Sequence, residues 1–143
     1  MKIGLISNKI NEANINQLVD LIKQMHHEPV VLNNHDAFIN NCDELIKNIQ
    51  TKNVSRGIVI DDYGVLPFMY IAKTTGIVVA EITDEHSARM TCEHNNATVL
   101  SFGSKISTMH QIKNMVASFL NAQYEGGRHQ VRIDMMNTLM EGK

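Results

Sequence analysis

The sequence predicts an α/β protein in which helices cover both faces of a parallel, doubly wound sheet. Short apolar runs alternate with amphipathic segments along the whole chain. Apolar residues make up 43% and charged residues 20% of the 143 residues, which is the balance of a globular protein with a core of its own. We therefore expect one domain over residues 1–143.

Five apolar runs have the length and composition of buried strands. They cover residues 2–7, 29–32, 57–60, 77–80 and 99–102. Each is followed by a helical segment, so the strands are expected to run parallel through right-handed crossovers. Functional groups gather at the carboxyl ends of such strands. This rule directs attention to Ser7 and Asn8, to 61–66, to Thr83 and Asp84, and to 103–105.

Apolar residues at helical spacing mark four of the helices. These stripes are Ile15, Leu18, Val19, Ile22 and Met25; Phe38, Cys42, Leu45, Ile46 and Ile49; Ile112, Met115, Val116, Phe119 and Leu120; and Met135, Met136, Leu139 and Met140. Pro67 suits the first turn of a third helix. Asp84 is the expected cap of a fourth helix that runs to about Glu93. Thr108 with Gln111 predicts a capping box.

Two glycines precede the last helix at 126–127, where they free the backbone for a sharp turn. Arg128 and Arg132 then share one helix face at i and i+4. Two guanidinium groups at a helix N-terminus suit a dianionic phosphate. A lone pair of this kind is more often solvated, but the glycine turn and the polar run at 94–96 favour a phosphate site.

Charge and cysteine content narrow the class of protein. The net charge is -2, which implies neither a polyanion nor a membrane as partner. The N-terminal run lacks the layout of a signal peptide, and no apolar run is long enough to cross a bilayer, so a cytoplasmic chain with free thiols is expected. Cys42 lies on an apolar stripe and is expected in the core. Cys92 is a conceivable nucleophile, but spacing identifies no base for it.

The spacing of polar residues suggests two alternative kinds of site. Asp61, Thr83 and Lys105 stand where a phospho-accepting receiver domain keeps its Asp, Thr and Lys. A receiver also needs an acidic pair after the first strand to hold magnesium, and that place holds Ser-Asn-Lys at 7–9. The receiver hypothesis is therefore disfavoured.

A metal site is the second alternative. His86, Cys92, Glu93 and His94 lie close in sequence, but no pair of them has a familiar ligand spacing. Residues 92 and 94 at a helix end do not point two ligands in one direction. We expect no metal there.

Four residues can together bind a phosphorylated sugar. The His94 imidazole can donate a proton to a sugar ring oxygen, and the Asn95 amide can orient a carbonyl or enediolate oxygen. Arg128 and Arg132 can hold a terminal phosphate. These groups make half of an aldose–ketose isomerase. The other half, a base at C2 and an anion pocket of backbone N–H groups, has to come from elsewhere.

The runs 93–104 and 124–132 resemble the family of type B ribose-5-phosphate isomerase and galactose-6-phosphate isomerase. The His-Asn pair, the Phe-Gly-Ser turn and the Gly-Gly-Arg-His-Gln-x-Arg ending carry the resemblance, which extends over about residues 57–140. Residues 58–69 and 132–137 resemble the branch of A-type subunits of galactose-6-phosphate isomerase.

This resemblance implies a three-layer, Rossmann-like sandwich whose C-terminal helix is used in subunit contact. It implies a heteromer with a B-type galactose-6-phosphate isomerase subunit, acting in the tagatose-6-phosphate route of lactose and galactose use. It also implies active sites shared between two chains, and neither a metal nor another cofactor. His94 and Asn95 are the catalytic residues carried over, and Arg128 and Arg132 those that hold the substrate phosphate.

The chain departs from the family pattern in its own pocket. The family's Asp-His pair after the first strand is Asn8-Lys9 here, and the Cys and Thr of ribose-type members are replaced. A leucine crowds a bound oxyanion, and proline has no N–H to donate. The residues of this degenerate pocket are Asn8, Asp61, Tyr63, Gly64 and Leu66, and Asp62 and Pro67 also replace small residues of its loop.

The sequence therefore predicts an isomerase subunit that supplies ring-opening and phosphate-binding groups to a partner's active site, with doubtful activity of its own. One alternative is a non-catalytic subunit that stabilises or regulates its partner. Another is a self-sufficient homodimer of the ribose-5-phosphate type that uses Asp61 as base.

Overall fold

The computed structural model describes residues 1–142, in which strands and helices alternate. In chain order they are β1 Lys2–Ser7, α1 Glu12–Gln24, β2 Glu28–Val31, α2 Phe38–Gln50, β3 Arg56–Asp61, α3 Val65–Ile71, β4 Val79–Glu81, α4 Glu85–Asn95, β5 Val99–Gly103, α5 Met109–Asn121 and α6 Arg128–Glu141. One turn of 3-10 helix, Lys9–Asn11, precedes α1.

The five strands form one parallel sheet in the order β2-β1-β3-β5-β4. This confirms the predicted α/β fold. The fourth strand begins two residues later than predicted, because the Ile77 N–H still bonds to the Thr74 carbonyl in the turn after α3. The fourth helix ends at Asn95, two residues beyond the predicted end, and Asn96 terminates it in the left-handed conformation.

Two apolar cores lie on opposite faces of the sheet. On one face α1, α4 and α5 pack on residues that include Leu5, Ile60 and Phe102. On the other face α2 and α3 pack around Leu45 and Val59. Successive strand residues alternate between the two cores, as the period of a strand requires. Within residues 1–142, no helix is long and apolar enough to cross a membrane.

The predicted helix starts are confirmed. The Asp84 carboxylate accepts the Ser87 N–H at 2.7 Å and caps α4. Thr108 and Gln111 form the capping box of α5. Gly126 and Gly127 have φ of 64° and 54°, and α6 begins at the next residue. These φ values lie in the region that glycine enters without steric cost, so the glycine turn is what aims α6.

A close backbone contact shapes the loop between β3 and α3. A Cβ on Gly103 would lie 2.5 Å from the carbonyl carbon of Tyr63, so only glycine allows this approach. Gly64 has φ of 77°, and its carbonyl accepts the Ser101 hydroxyl at 2.7 Å. The loop is thereby pressed against the end of β5.

Arg56 fastens the end of α5 to the start of β3. Its guanidinium donates to the carbonyls of Phe119 and, at 2.7 Å, of Ala122, and lies 4.8 Å from the centroid of the Phe119 ring. These carbonyls lie at the C-terminal end of α5, where the helix dipole makes a cation favourable. Because Ala122 opens the loop that leads to α6, this anchor fixes where that loop starts.

Candidate active site

The structure places the predicted site residues at two opposite edges of the sheet. We call the edge where the strands begin the amino edge and the edge where they end the carboxyl edge. His94 and Asn95 end α4, which runs back to the amino edge, and Arg128 starts α6 there. Asp61 ends β3 at the carboxyl edge. The rule that functional groups gather at carboxyl ends therefore identifies only one of the two groups.

The strand register sets the distance between the two edges. Gly57 of β3 pairs with Val99 of β5, and Asp61 pairs with Gly103. Four residue steps of a strand span about 13 Å, so the two groups lie at opposite ends of strands of about this length. In one chain, His94 and Asp61 cannot act on the same sugar carbon.

At the amino edge, the end of α4 and the start of α6 come together. The Glu125 N–H donates to the Glu93 carbonyl at 3.0 Å, which ties the loop before α6 to the end of α4. The His94 ring stacks on the His129 ring, with centroids 4.1 Å apart and planes within 10°. Arg128 and Arg132, both exposed, flank His129 in sequence. We call this group the amino-edge cluster: His94, Asn95, Glu125, Arg128, His129 and Arg132.

Three members of the amino-edge cluster offer ligand atoms within 4.8 Å of one another: His94, Glu125 and His129. A metal ion lies in the plane of each imidazole that binds it. The planes of the two stacked rings differ by only 10° and meet far from either ring, so His94 and His129 cannot bind one ion in this orientation. The arrangement is suited to holding a ring in place and to proton transfer. The His86–Cys92–Glu93–His94 set weighed from the sequence contributes only His94 to this group.

At the carboxyl edge, Asp61 bonds to its own loop. Its carboxylate accepts the N–H groups of Tyr63, at 3.2 Å, and of Gly64. The side chain is buried. Burial raises the pKa of the Asp61 carboxyl above its ordinary range, and the two N–H bonds offset this in part. Backbone N–H groups that could bind an oxyanion here are thus taken by a carboxylate of the chain itself.

Asp62 lies in a polar network that covers the ends of β1 and β3. Its carboxylate accepts the amides of Asn8, at 3.2 Å, and Asn11, at 3.3 Å, and pairs with the Lys105 ammonium at 3.2 Å. The Asn8 bond, followed by the Lys105 bond, lowers the pKa of Asp62. These contacts do not favour the receiver hypothesis. Lys105 pairs with Asp62 and not with Asp61, and Asn8 stands where a receiver domain needs a carboxylate.

A small cavity lies at the carboxyl edge beside the end of β1, and of the predicted pocket residues only Asn8 lines it. It has a volume of about 100 Å³ and is lined mainly by polar side chains, among them Ser7, Asn8, Asn33 and His35. Ligand pockets usually measure about 300–1,000 Å³, so this cavity cannot enclose a sugar phosphate alone. Tyr63 and Leu66 lie exposed beside the loop, each at 54%. We call the group Asn8, Asp61, Asp62, Tyr63, Gly64, Leu66 and Pro67 the carboxyl-edge pocket.

Both cysteines are buried and unpaired. Burial raises the pKa of Cys42 to about 12. Burial also raises the pKa of Cys92, whose thiol donates to the Ala122 carbonyl at 3.6 Å. A nucleophilic cysteine acts as the thiolate, which these surroundings disfavour. The geometry therefore gives no support to Cys92 as a nucleophile.

Sequence reasoning gave no role to Glu125 and His129. The His129 ring is only 6% exposed and turns towards α4, although α6 is otherwise largely exposed. The available signal was the i,i+4 spacing of an acid and a histidine across the glycine turn. Sequence spacing could not show that His129 faces inward, because that depends on where α6 docks.

The chain is similar to known proteins of one family. The sequence profile of the Ribose/Galactose Isomerase family matches residues 3–136. Galactose-6-phosphate isomerase subunit LacA 2 of Streptococcus pyogenes serotype M1 is 40% identical over 122 residues, 84% of this chain and 86% of that one. Subunit LacA of Streptococcus equi subsp. equi is 41% identical over 104 residues, 73% of this chain and 74% of that one.

Solved structures give the same answer for the fold. Ribose-5-phosphate isomerase B of Clostridium thermocellum superposes with a TM-score of 0.90 at 25% identity, covering 99% of both chains. The enzyme of Mycoplasma genitalium, solved with bound ribulose-5-phosphate, gives a TM-score of 0.87 at 25% identity, covering 99% of this chain and 97% of that one. Sequence and fold together show that the chain belongs to the ribose/galactose isomerase family, as its resemblance predicted.

Proposed function

We propose that this chain is the A-type subunit of a heteromeric isomerase that interconverts galactose 6-phosphate and tagatose 6-phosphate in the cytoplasm. Its relatives include galactose-6-phosphate isomerase subunits. The observation that carries the proposal is that the amino-edge cluster and the carboxyl-edge pocket lie at opposite ends of strands about 13 Å long. In this proposal the amino-edge cluster is half of an isomerase site, so a complete site needs the pocket of a second chain.

In this proposal the amino-edge cluster faces a pocket of the B-type partner. His94 protonates the ring oxygen as the sugar opens, and Asn95 orients the oxygen of the carbonyl that forms. A base in the partner's pocket takes the proton from C2 and returns it to C1 through a cis-enediolate. Arg128 and Arg132 hold the 6-phosphate; within residues 1–142 neither forms an ion pair.

The exposed face of α6 supports a subunit contact beside these arginines. A groove of about 460 Å³ runs along it and is lined by Val131, Asp134, Met135, Thr138 and Leu139. Met135 and Leu139 are 62% and 70% exposed, which is costly for apolar side chains in a monomer. Because Arg128 and Arg132 lie on the same helix, a chain packed on this groove approaches the phosphate site.

The carboxyl-edge pocket supports the same division of labour. Asp61 is engaged by two backbone N–H groups, and Asp62 by Asn8, Asn11 and Lys105. Groups whose bonds are made within the chain are poorly placed to take up a substrate proton or an oxyanion. The pocket therefore serves the fold, and the chemistry lies with the partner.

The test is reconstitution. The chain, a B-type subunit from the same organism and the co-purified pair are each assayed with galactose 6-phosphate and with ribose 5-phosphate. We expect turnover of galactose 6-phosphate by the pair and little or none by this chain alone. A Leu139→Glu variant is expected to lose the partner on co-purification, whereas Gln17→Glu, which adds the same charge on the exposed side of α1, retains it.

The other outcomes each reject the proposal in a defined way. Full turnover by this chain alone establishes a self-sufficient homodimer, with Asp61 as the candidate base. If turnover by the pair requires this chain but is unchanged in His94→Asn, the chain is a stabilising or regulatory subunit. Turnover of ribose 5-phosphate in place of galactose 6-phosphate reassigns the substrate.

A further inference from the structure

We propose that His129 is a positioning residue for the reaction: its ring fixes the plane of the His94 ring, and Glu125 in turn holds His129. The inference rests on the proposed role of His94 as the ring-opening acid. It adds two residues to that role, neither of which needs to touch the sugar.

The burial of His129 is the first observation. Successive helix residues are turned by about 100°, so His129 points inward while Arg128, one residue before it, points outward. At 6% exposure, His129 is the buried residue of an otherwise exposed helix. Burying an imidazole is costly unless its polar atoms have partners. Its Nε2 lies 3.4 Å from a Glu125 carboxylate oxygen.

The stacking geometry is the second observation. The centroids of the His94 and His129 rings are 4.1 Å apart, and their planes differ by 10°. A flat surface against the His94 ring restricts rotation about its last side-chain torsion, which is otherwise soft. Stacking uses the face of the ring and leaves its edge free. The edge carries the two nitrogens, so the restraint sets their direction without occupying them.

The backbone around the pair is also fixed. The Glu125 N–H donates to Glu93, the residue before His94, and the His129 N–H donates to Gly126, both at 3.0 Å. The first bond links the loop before α6 to the end of α4, and the second closes a turn at the start of α6, so the backbone that carries each ring is held in place. A proton donor works only when its N–H points at the acceptor, and a displacement of about 1 Å can lower the rate about a hundredfold.

The first experiment uses the isolated chain and needs no partner. Ring signals of His94 are identified by ¹H–¹³C NMR through their absence in His94→Asn. Stacking on His129 shifts them from the positions of a free imidazole. We expect His129→Phe, which keeps a flat ring, to preserve this displacement and His129→Gln, which keeps a polar group without a ring, to abolish it.

The second experiment measures turnover of galactose 6-phosphate by the assembled pair. We expect His129→Gln to lower kcat about 10- to 100-fold while KM changes less than about twofold, and His129→Phe to restore most of kcat. Glu125→Gln, which keeps a hydrogen-bond acceptor, is expected to have a kcat close to that of the unchanged chain. The kcat of Glu125→Ala should lie between those of Glu125→Gln and His129→Gln. Circular dichroism and co-purification check that each variant folds and assembles.

These outcomes separate the two proposals. Unchanged kcat in His129→Gln overturns the positioning role, as does a loss that appears in KM alone, since that marks a substrate-binding residue. Unchanged turnover in His94→Asn instead overturns the proposed function, whatever the NMR spectra of the isolated chain show. If the His129 variants fail to assemble, the Glu125 pair decides: equal kcat in Glu125→Ala and Glu125→Gln overturns the inference.

Discussion

The amino-edge cluster and the carboxyl-edge pocket are both polar, but they use their polar groups differently. In the carboxyl-edge pocket the aspartates bond to the chain's own backbone and side chains. In the amino-edge cluster Arg128 and Arg132 are exposed and, within residues 1–142, form no ion pair. Internally satisfied polar groups stabilise a fold, whereas charged groups left facing solvent are available to a ligand.

The difference also concerns which end of the sheet carries the catalytic residues. A parallel sheet favours the carboxyl edge as a site, whereas the proposed function assigns the chemistry of this chain to the amino edge. Under the proposed function, the half-site at the amino edge acts only together with another chain. The three predictions below compare the two regions, from the largest expected effect to the smallest.

The largest difference is expected between His94→Asn and Asp61→Asn in the assembled pair. Loss of general acid catalysis is typically worth about a hundredfold to ten-thousandfold, so His94→Asn should lower kcat by that order. Asp61→Asn should leave kcat nearly unchanged, because the new amide oxygen can still accept the loop N–H groups and no substrate proton passes through this site. Turnover at saturating galactose 6-phosphate measures both.

Each variant serves as the control for the other, since both remove one ionisable group and keep a similar size. Gel filtration must first show that both still assemble, because a lost interface mimics a lost catalyst. A loss confined to Asp61→Asn contradicts the comparison and moves the chemistry to the carboxyl edge of this chain.

The second prediction concerns phosphate. A charge-assisted bond is worth about 1.5–3 kcal/mol, so Arg128→Ala and Arg132→Ala should each weaken binding of the sugar phosphate about tenfold or more. Arg89→Ala, which removes an exposed arginine of α4, is the matched control and should leave affinity unchanged. Calorimetric titration of the assembled pair provides the measurement. Equal affinity in all three variants means that Arg128 and Arg132 are simply solvated.

The smallest effect is expected in the acid dependence of stability. The pKa of Asp62 is lowered, so its contribution is present above the ordinary carboxyl pKa of about 3.9 and is lost as the pH falls through the lowered value. The pKa of Asp61 is raised, so its ionised carboxylate lowers the free energy of unfolding at higher pH. This cost is relieved as the pH falls through the raised value.

Two variants test this opposition. Urea unfolding of the isolated chain between about pH 6 and pH 3 should show a shallower acid loss of stability in Asp62→Asn than in the unchanged chain. Asp61→Asn should show a steeper loss. Parallel curves for all three proteins contradict the opposed pKa shifts in the carboxyl-edge pocket.

Most of the fold follows from local signals in the sequence. Strand and helix periodicity, the Asp84 cap, the capping box at Thr108 and the glycine turn at 126–127 are local signals, and each is confirmed. Local signals are reliable here because backbone geometry and capping depend on near neighbours in the chain. The shifted start of the fourth strand is the kind of boundary error that a long turn causes.

The distribution of the site residues depends on tertiary packing. Spacing placed Arg128 and Arg132 on one helix face, but not the His129 ring against His94 or the Asp61 carboxylate on its own loop. Those contacts depend on where α6 docks on α4 and how closely the loop after β3 approaches β5. Such docking is set by packing between segments far apart in sequence, which local residue patterns do not encode.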